Sequence, residues 1–272
     1  MENTKYDERY VAFVDILGFT DLVGKSADSN STISLADIVT ALKFTPPAGQ
    51  DKIVLGRIGD ISKSNHQMSS FSDNIFISTD STENGLMHII NHLEQISFKL
   101  LKLGFLCRGG LTKGLCYHHE NIVFGPAVIE AHDIEKKVSK YPRVVLSDTV
   151  IQDGQNANAP INEIFNTFVR KDFDSKYFVH YLRIIRLFSD SMEKDQQQDY
   201  IEMLRNIENK IEENLNHAKN EEKDKDQKDC PIVTPVQKNE WIKEYFRFAK
   251  DRSHLELLNT PFPSRLIKDI LA

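Results

Sequence analysis

Apolar positions come first as a continuous run. Tyr10-Val11-Ala12-Phe13-Val14, closed by Asp15, predicts a buried strand over 8–15, and Gly18 turns the chain toward a short helix over 17–24. An amphipathic helix is expected from Leu35 to Phe44, stopped by the breaker Pro46-Pro47-Ala48-Gly49. Met68–Phe71 and Ile75–Ser78 are two short β-like runs, and Ser72-Asp73-Asn74 between them supplies the turn of a hairpin. Leu86, Ile89, Ile90, Leu93, Ile96, Leu100 and Leu103 then recur at three- and four-residue steps, the mark of a long amphipathic helix ending near Gly104. Strands follow over Phe105–Lys113 and Ile122–Phe124, a helix over Val128–Val138, and a strand over Arg143–Leu146. Thr167–Arg170 and Tyr177–Leu182 flank Asp172-Phe173-Asp174-Ser175-Lys176 as a further hairpin.

The rhythm then changes. Ser189 to Asn220 is helical, with Tyr200, Met203, Leu204, Ile207, Ile211 and Leu215 on one stripe. Asn220 to Asp229 is almost wholly charged and reads as a solvated or disordered linker. Trp241, Tyr245 and Phe248 share one face of a last helix, which predicts core packing or, as the alternative, a dimer contact. No internal repeat is visible. The alternation of strands and helices argues for an α/β or α+β sheet with helices packed on it.

Composition narrows the class. A chain of 272 residues with 40% hydrophobic content can build one large core, or a domain with an appendage. A net charge of −6 argues against binding a nucleic-acid backbone. Cys107, Cys116 and Cys230 are few, odd in number and without zinc spacing, which suits a reducing cytosol. Met1 through Tyr10 has no apolar core of a signal peptide, and no window reaches about 18 uninterrupted apolar residues, so neither export nor a membrane span is expected. His118-His119 lacks a third ligand at metal spacing and reads as a loop pair. The absence of a G-x-x-x-x-G-K-[ST] run removes P-loop chemistry.

Two acids carry the candidate chemistry. Asp15 ends the first strand, and Asp73 lies at the turn of the first hairpin. Side-by-side pairing of those strands would bring both carboxylates to one sheet edge, where they repel unless a cation lies between them. Mg²⁺ is commonly held by one or two carboxylates together with substrate phosphates. The N–H groups opening the helix after Gly18 would face such a phosphate. The plainer alternative makes Asp15 a helix cap and Asp73 a turn residue.

The same residues carry a resemblance. Phe13-Val14-Asp15-Ile16-Leu17-Gly18-Phe19-Thr20 resembles the F-x-D-I-x-G-F-T signature of class III nucleotide cyclases, the adenylyl and guanylyl cyclase homology domain. Ser72-Asp73 stands where that family has a Gly-Asp hairpin. Arg108-Gly109-Gly110-Leu111-Thr112-Lys113-Gly114 is similar to its R-x-G-x-x-x-G strand, and Phe124-Gly125-Pro126-Ala127-Val128-Ile129-Glu130-Ala131 to its W-G-x-x-V-N-x-A helix start. The resemblance covers roughly residues 8–150 and implies an α+β, ferredoxin-like mixed sheet with packed helices. With the change of pattern after the second hairpin, the expectation is a catalytic domain over 8–186 and a helical C-terminal extension over 187–272. It further implies two divalent cations, Mn²⁺ or Mg²⁺, on Asp15, Asp73 and the Ile16 carbonyl. The amides of Leu17, Gly18, Phe19 and Thr20 would hold the phosphates, and a homodimer would complete each site.

Departures from the pattern are equally specific. The family's purine-specifying lysine falls near Ser69, its base-reading aspartate near Ile122, its ribose-orienting asparagine at Ile129 and its transition-state arginine at Asp133. Arg108, Lys113, Lys136, Lys137 and Arg170 are the candidates to replace that arginine, Arg108 foremost because it follows an apolar strand. Ser69 and Ile122, walled by Phe71 and Phe124, imply a pocket for a smaller ring. Glu130-Ala131-His132-Asp133-Ile134-Glu135 and Lys238-Asn239-Glu240-Trp241-Ile242-Lys243-Glu244-Tyr245 resemble the Pycsar-type bacterial pyrimidine cyclases of anti-phage defence. The expectation is a cytoplasmic uridylate cyclase that converts UTP to cyclic UMP and pyrophosphate, the product being read by a separate effector. Cytidylate cyclase activity on CTP, or a degenerate cyclase-fold module that only binds nucleotide, are the alternatives. No G-G-[DE]-E-F-type hairpin points to a diguanylate cyclase.

Overall fold

A computed structural model describes residues 5–45, 60–185, 196–223 and 233–251. Its spine is β1 (Asp7–Leu17), which pairs antiparallel with β3 (Asn74–Asp80) on one side and β4 (Leu106–His119) on the other. Both neighbours therefore run in the same direction with β1 inserted between them. They are joined by helix α3 (Glu83–Leu103), giving the split strand–helix–strand unit of a ferredoxin-like sheet. β2 (Gln67–Phe71) closes one edge. Beyond β4 lie β6 (Val144–Leu146), parallel to it, then β8 (Tyr177–Val179) and β7 (Val169–Lys171), while β5 (Ile122–Phe124) folds back on the end of β4. The architecture is α+β with a mixed sheet, as expected.

Alternation along β1 explains the layers, because successive side chains of a strand point to opposite faces. Tyr10, Ala12, Val14 and Ile16 enter the main core with Leu86, Ile89, Ile90, Leu93 and Ile96 of α3. Val11 and Phe13 enter a smaller core with Ala127 and Ala131 of α4 (Pro126–Lys137). Thr82 caps α3 by accepting the Gly85 N–H at 3.0 Å, and Gly104 ends it at φ 88°. Helices α1 (Phe19–Ala27) and α2 (Leu35–Leu42) fill the expected segments; the proline-rich breaker lies outside the described residues. Two short helices, α5 (Asp148–Asn156) and α6 (Ile161–Phe168), were not anticipated from the sequence.

The C-terminal helices α7 (Gln197–Lys223) and α8 (Pro235–Asp251) complete a third core. Ile207 and Ile211 of α7 and Trp241, Ile242, Tyr245, Phe246 and Phe248 of α8 are buried there with Phe98, Leu101, Leu106, Phe178 and Tyr181. Trp241 Nε1 donates to Asp172 Oδ2 at 3.1 Å, and Tyr245 Oη accepts the Leu182 N–H at 3.3 Å. The aromatic stripe is therefore core, and the dimer-contact alternative for Trp241 and Tyr245 falls, because their rings are enclosed within one protomer. Helix α7 also runs through Asn220 to Lys223, so the charged stretch begins as helix rather than linker; 224–232 and 186–195 lie outside the described residues. The Asp172–Lys176 turn is pinned by Arg143, fully buried and ion-paired with both Asp172 and Asp174. A charge so deeply buried persists only when paired in this way.

Candidate functional site

Asp15 closes the β1–β3 ladder opposite Asn74, while β1 itself runs on beside β4 to Leu17, past the strand end expected from the sequence. Gly18 follows at φ 75°, a left-handed conformation that costs an L side chain of order 1 kcal/mol or more, and α1 starts at the next residue. No side chain caps α1, so its first amides are not satisfied by a capping group. The next residue after Asp15 joins the two acidic segments, since the Ile16 N–H donates to the Asp73 carbonyl at 2.9 Å. Asp73 sits in the tight loop between the paired residues Phe71 and Asn74, with Ser72 at φ 57° doing what a glycine does more cheaply. The expected pairing of the two strands is present, and it sets the Asp73 turn next to Asp15 at the end of the β1–β3 ladder.

Arg108 lies directly opposite Asp15 in the β1–β4 register, so both side chains leave the same face. Arg108 Nε donates to Asp15 Oδ2 at 3.1 Å. Glu135 Oε1 approaches the same nitrogen at 2.7 Å, but Nε has one hydrogen and it is directed at Asp15. Glu135 Oε1 therefore stays without a hydrogen bond although it is buried. Burial pushes the Glu135 carboxyl above the usual carboxylate range; the Arg108 guanidinium opposes that rise and the Asp15 charge adds to it. The approach of Glu135 depends on a glycine, because a Cβ on Gly110 would lie 2.3 Å from the Ala131 carbonyl oxygen and 2.6 Å from Ile134 Cβ. The missing side chain lets the middle of α4 lie on β4 and brings its next residue, Glu135, to the arginine.

Asp15, Asp73 and the Ile16 carbonyl are hard oxygen donors, the set suited to Mg²⁺ or Mn²⁺. The Ile16 side chain is buried in the core, which leaves only its backbone for such a role. Among the described residues no group of three or more His, Cys, Asp or Glu side chains is placed to hold a metal ion. Asp15 and the Asp73 turn, joined through the Ile16 N–H, would hold such a cation, with phosphate and water in its remaining positions. Arg108 neutralises Asp15 in the meantime. Leu17, partly buried, packs against the third core, and Gly18, Phe19 and Thr20 open α1.

The residues assigned to a base pocket are placed differently. Ser69 Oγ donates to the Glu120 carbonyl and contacts His118 Nε2, both at 2.9 Å, which sets it against the β4–β5 turn two residues from Ile122. Ile122 is 59% exposed. Phe71 at 81% and Phe124 at 46% exposed are surface aromatics rather than core, and Phe124 packs on Tyr6 and Tyr117 with ring centroids 5.8 and 5.2 Å away. Of the basic candidates, Lys113 pairs with Asp153 at 3.0 Å, Lys137 with Asp133 at 2.8 Å, and Arg170 is buried over the Phe248 ring, not part of a surface pair. Arg108 alone of these touches Asp15. His118 is a strand residue rather than part of a loop, buried with its Nδ1 2.9 Å from Ser78 Oγ.

Glu135 was missed from the sequence, yet Ala127, Ala131 and Glu135 at four-residue steps put an acid on the buried stripe of α4, which is the signal that would have found it. A histidine cluster was missed as well. His66 Nε2 lies 2.9 Å from His92 Nδ1, His88 Nδ1 lies 2.7 Å from Ser64 Oγ, and Phe44 packs on all three rings. Burial lowers the pKa of His66 to about 4 and of His92 to about 3, with neighbouring histidines adding to the effect. The set is a neutral structural cluster at ordinary pH.

Among the described residues no helix is long and apolar enough to cross a membrane. No protein-family model matches the chain, and no curated protein matches it. Among solved structures, the chain is similar to the catalytic core of a rhodopsin-guanylyl cyclase with converted specificity in complex with ATPαS, at 17% identity and a TM-score of 0.36, over 57% of this chain and 85% of that one. It is also similar to two structures of bacterial light-regulated adenylyl cyclases. One aligns at 15% identity with a TM-score of 0.33 over 54% of this chain, the other at 16% with 0.34 over 57%. The chain spans less than half the length of those two, 45% and 47%.

Proposed function

We propose that this protein is a nucleotide cyclase that closes the ribose 3′-oxygen of a pyrimidine nucleoside triphosphate onto its α-phosphorus, with UTP favoured over CTP. The observation that carries the reading is the joining of Asp15 to the Asp73 turn through the Ile16 N–H at 2.9 Å, within the Phe13–Thr20 pattern. Two acids kept together at a strand end, next to a glycine-opened helix, are the parts a polyphosphate site needs. Divalent cations bound there would supply charge compensation on the triphosphate and a lowered pKa at the attacking hydroxyl. Asp15 and Asp73 hold those cations, Arg108 holds Asp15 in place, and the first amides of α1 face the β- and γ-phosphates. The new bond joins the 3′-oxygen to the α-phosphorus, the bond to the β-phosphate oxygen breaks, and pyrophosphate leaves with that electron pair. The hydroxyl proton passes to water.

Ser69 and Ile122 stand where the resembled family has a lysine and an aspartate, and neither offers the partners that reward adenine or guanine, since specificity rests on hydrogen bonds that a wrong ring leaves unpaired. The exposure of Ile122, Phe71 and Phe124 supports a homodimer in which each protomer's base-reading strand completes the partner's site. The product would act in the cytoplasm as an anti-phage second messenger for a separate effector. The deciding experiment incubates the purified protein with each of the four triphosphates and Mn²⁺ or Mg²⁺ and identifies products by mass spectrometry. Cyclic UMP or cyclic CMP is expected, and faster turnover of ATP or GTP than of both pyrimidines overturns the substrate. A second reading, a module that binds nucleotide without turnover, is favoured by the Arg108–Asp15 pair, which already balances one acid; binding without any product would select it.

A further inference from the structure

The last helix reaches the same carboxylates. Leu17 and Leu106 are register partners two residues from Asp15 and Arg108 and on the same face, and both pack in the core that Trp241, Ile242 and Tyr245 of α8 complete. Lys238 stands one turn before Trp241 and Ile242 on the same side of that helix. It is half-buried, and its ammonium makes no hydrogen bond or ion pair among the described residues. Its charged surroundings are Arg108, Asp15, Glu135 and Lys140. Burial lowers its pKa from the ordinary lysine value, the Arg108 charge lowers it further, and Asp15 and Glu135 resist. The other lysines of α8 behave differently: Lys243 pairs with Glu212 at 2.6 Å and Lys250 with Glu208 at 2.8 Å.

A half-buried lysine left unpaired beside two acids is costly unless something else arrives to use its charge. Asp15 and Glu135 are already shared by Arg108, which leaves Lys238 uncommitted. The segment that carries it is held rigidly, because Trp241 is fixed to Asp172 and Asp172 to Arg143. The position Asp133 offers no positive charge, being negative itself and bound to Lys137.

We propose that Lys238 is a substrate-contacting cation of the nucleotide site, donating to the triphosphate at the bond that breaks and stabilising the pyrophosphate as it departs. The C-terminal helix is then a wall of the site, contributed by the same protomer that supplies Asp15 and Asp73. The proposal rests on the triphosphate reading above. Its chemistry is that of a preorganised donor aimed at charge that grows in the transition state.

The test uses the full chain as wild type, Lys238→Ala, Lys238→Arg and, as a control on the same helix, Lys243→Ala. Steady-state cyclisation is measured with UTP and CTP, and Mn²⁺-dependent binding of inorganic tripolyphosphate by calorimetry. Lys238→Ala is expected to lose about 100-fold in kcat, as removal of one transition-state donor does, and about tenfold in tripolyphosphate affinity, with an unchanged unfolding midpoint. Lys238→Arg should recover most of both, and Lys243→Ala should match wild type. Wild-type kcat and tripolyphosphate affinity in Lys238→Ala overturn the proposal while leaving the cyclase reading intact. If wild type cyclises none of the four triphosphates, the cyclase reading fails, and the tripolyphosphate comparison alone decides Lys238: weaker binding upholds it, equal binding removes it.

Discussion

Arg108 and Asp15 face each other across the β1–β4 ladder, and the single hydrogen on Arg108 Nε is directed at Asp15 Oδ2, 3.1 Å away. The arginine therefore competes with any cation for that carboxylate, and it leaves buried Glu135 without a hydrogen bond. Arg108→Ala should tighten half-saturation by Mn²⁺, because two acids are released. It should also lower stability by about 1–3 kcal/mol, the usual penalty for stranding buried polar partners. Metal titration of activity and urea denaturation read the two effects; unchanged metal dependence would show that Arg108 does not regulate access to Asp15.

Asp15→Ala and Asp73→Ala should each abolish turnover and leave a folded protein, since both side chains stand at the sheet edge rather than in an apolar core. Circular dichroism checks the fold and product formation checks the role. Near wild-type activity in either variant would remove that residue from the proposed cation site.

Gly110→Ala places a methyl group 2.3 Å from the Ala131 carbonyl oxygen, a contact backbone cannot absorb without moving α4. A loss of about 1–3 kcal/mol is expected from overpacking. Activity at a temperature where the variant is still folded should fall too, because the shift separates Glu135 from Arg108. Gly24→Ala, where an added Cβ meets nothing within 4 Å, is the matched control.

The histidine cluster sets an acid limit. His66 and His92 are held neutral down to about pH 4 and about pH 3, while in the unfolded chain each gains a proton near 6.5. Below that value the unfolded state binds more protons than the folded one, so stability falls as pH drops from 6.5 toward 4 and is level above 7 on this account. The slope for a fully buried histidine is about 1.4 kcal/mol per pH unit. Thermal midpoints at pH 7.5, 6, 5 and 4.5 measure it, and a flat profile below 6.5 would contradict it.

Much of this was legible from periodicity and turn chemistry. The stripe from Leu86 to Leu103 marked α3 and Gly104 its end, and the Ser72-Asp73 turn placed one acid beside the other. What escaped was set by long-range contact. Helices α5 and α6 are too short, at nine and eight residues, for a strong stripe. Nothing near Arg143 in the chain announces partners 29 and 31 residues away. Phe71 and Phe124, expected to wall a pocket, are instead exposed at the ends of β2 and β5, a placement residue type alone does not reveal. Glu135 on α4 and Lys238 on α8 lie far along the chain from Asp15, so no local pattern pairs them with it.

The knot of Arg143, Asp172 and Trp241 also orders events in time. The guanidinium and its acids belong to the sheet, and the indole that accompanies them comes some 70 residues after Asp172, so a ribosome finishes the hairpin well before the ring that seals it. Until α8 emerges, Leu106, Phe178 and Tyr181 lack their cover, and the nascent sheet is sticky there while its acidic corner is still incomplete. A chain interrupted ahead of residue 235 would therefore leave Leu106, Phe178 and Tyr181 facing solvent, an apolar patch open to association.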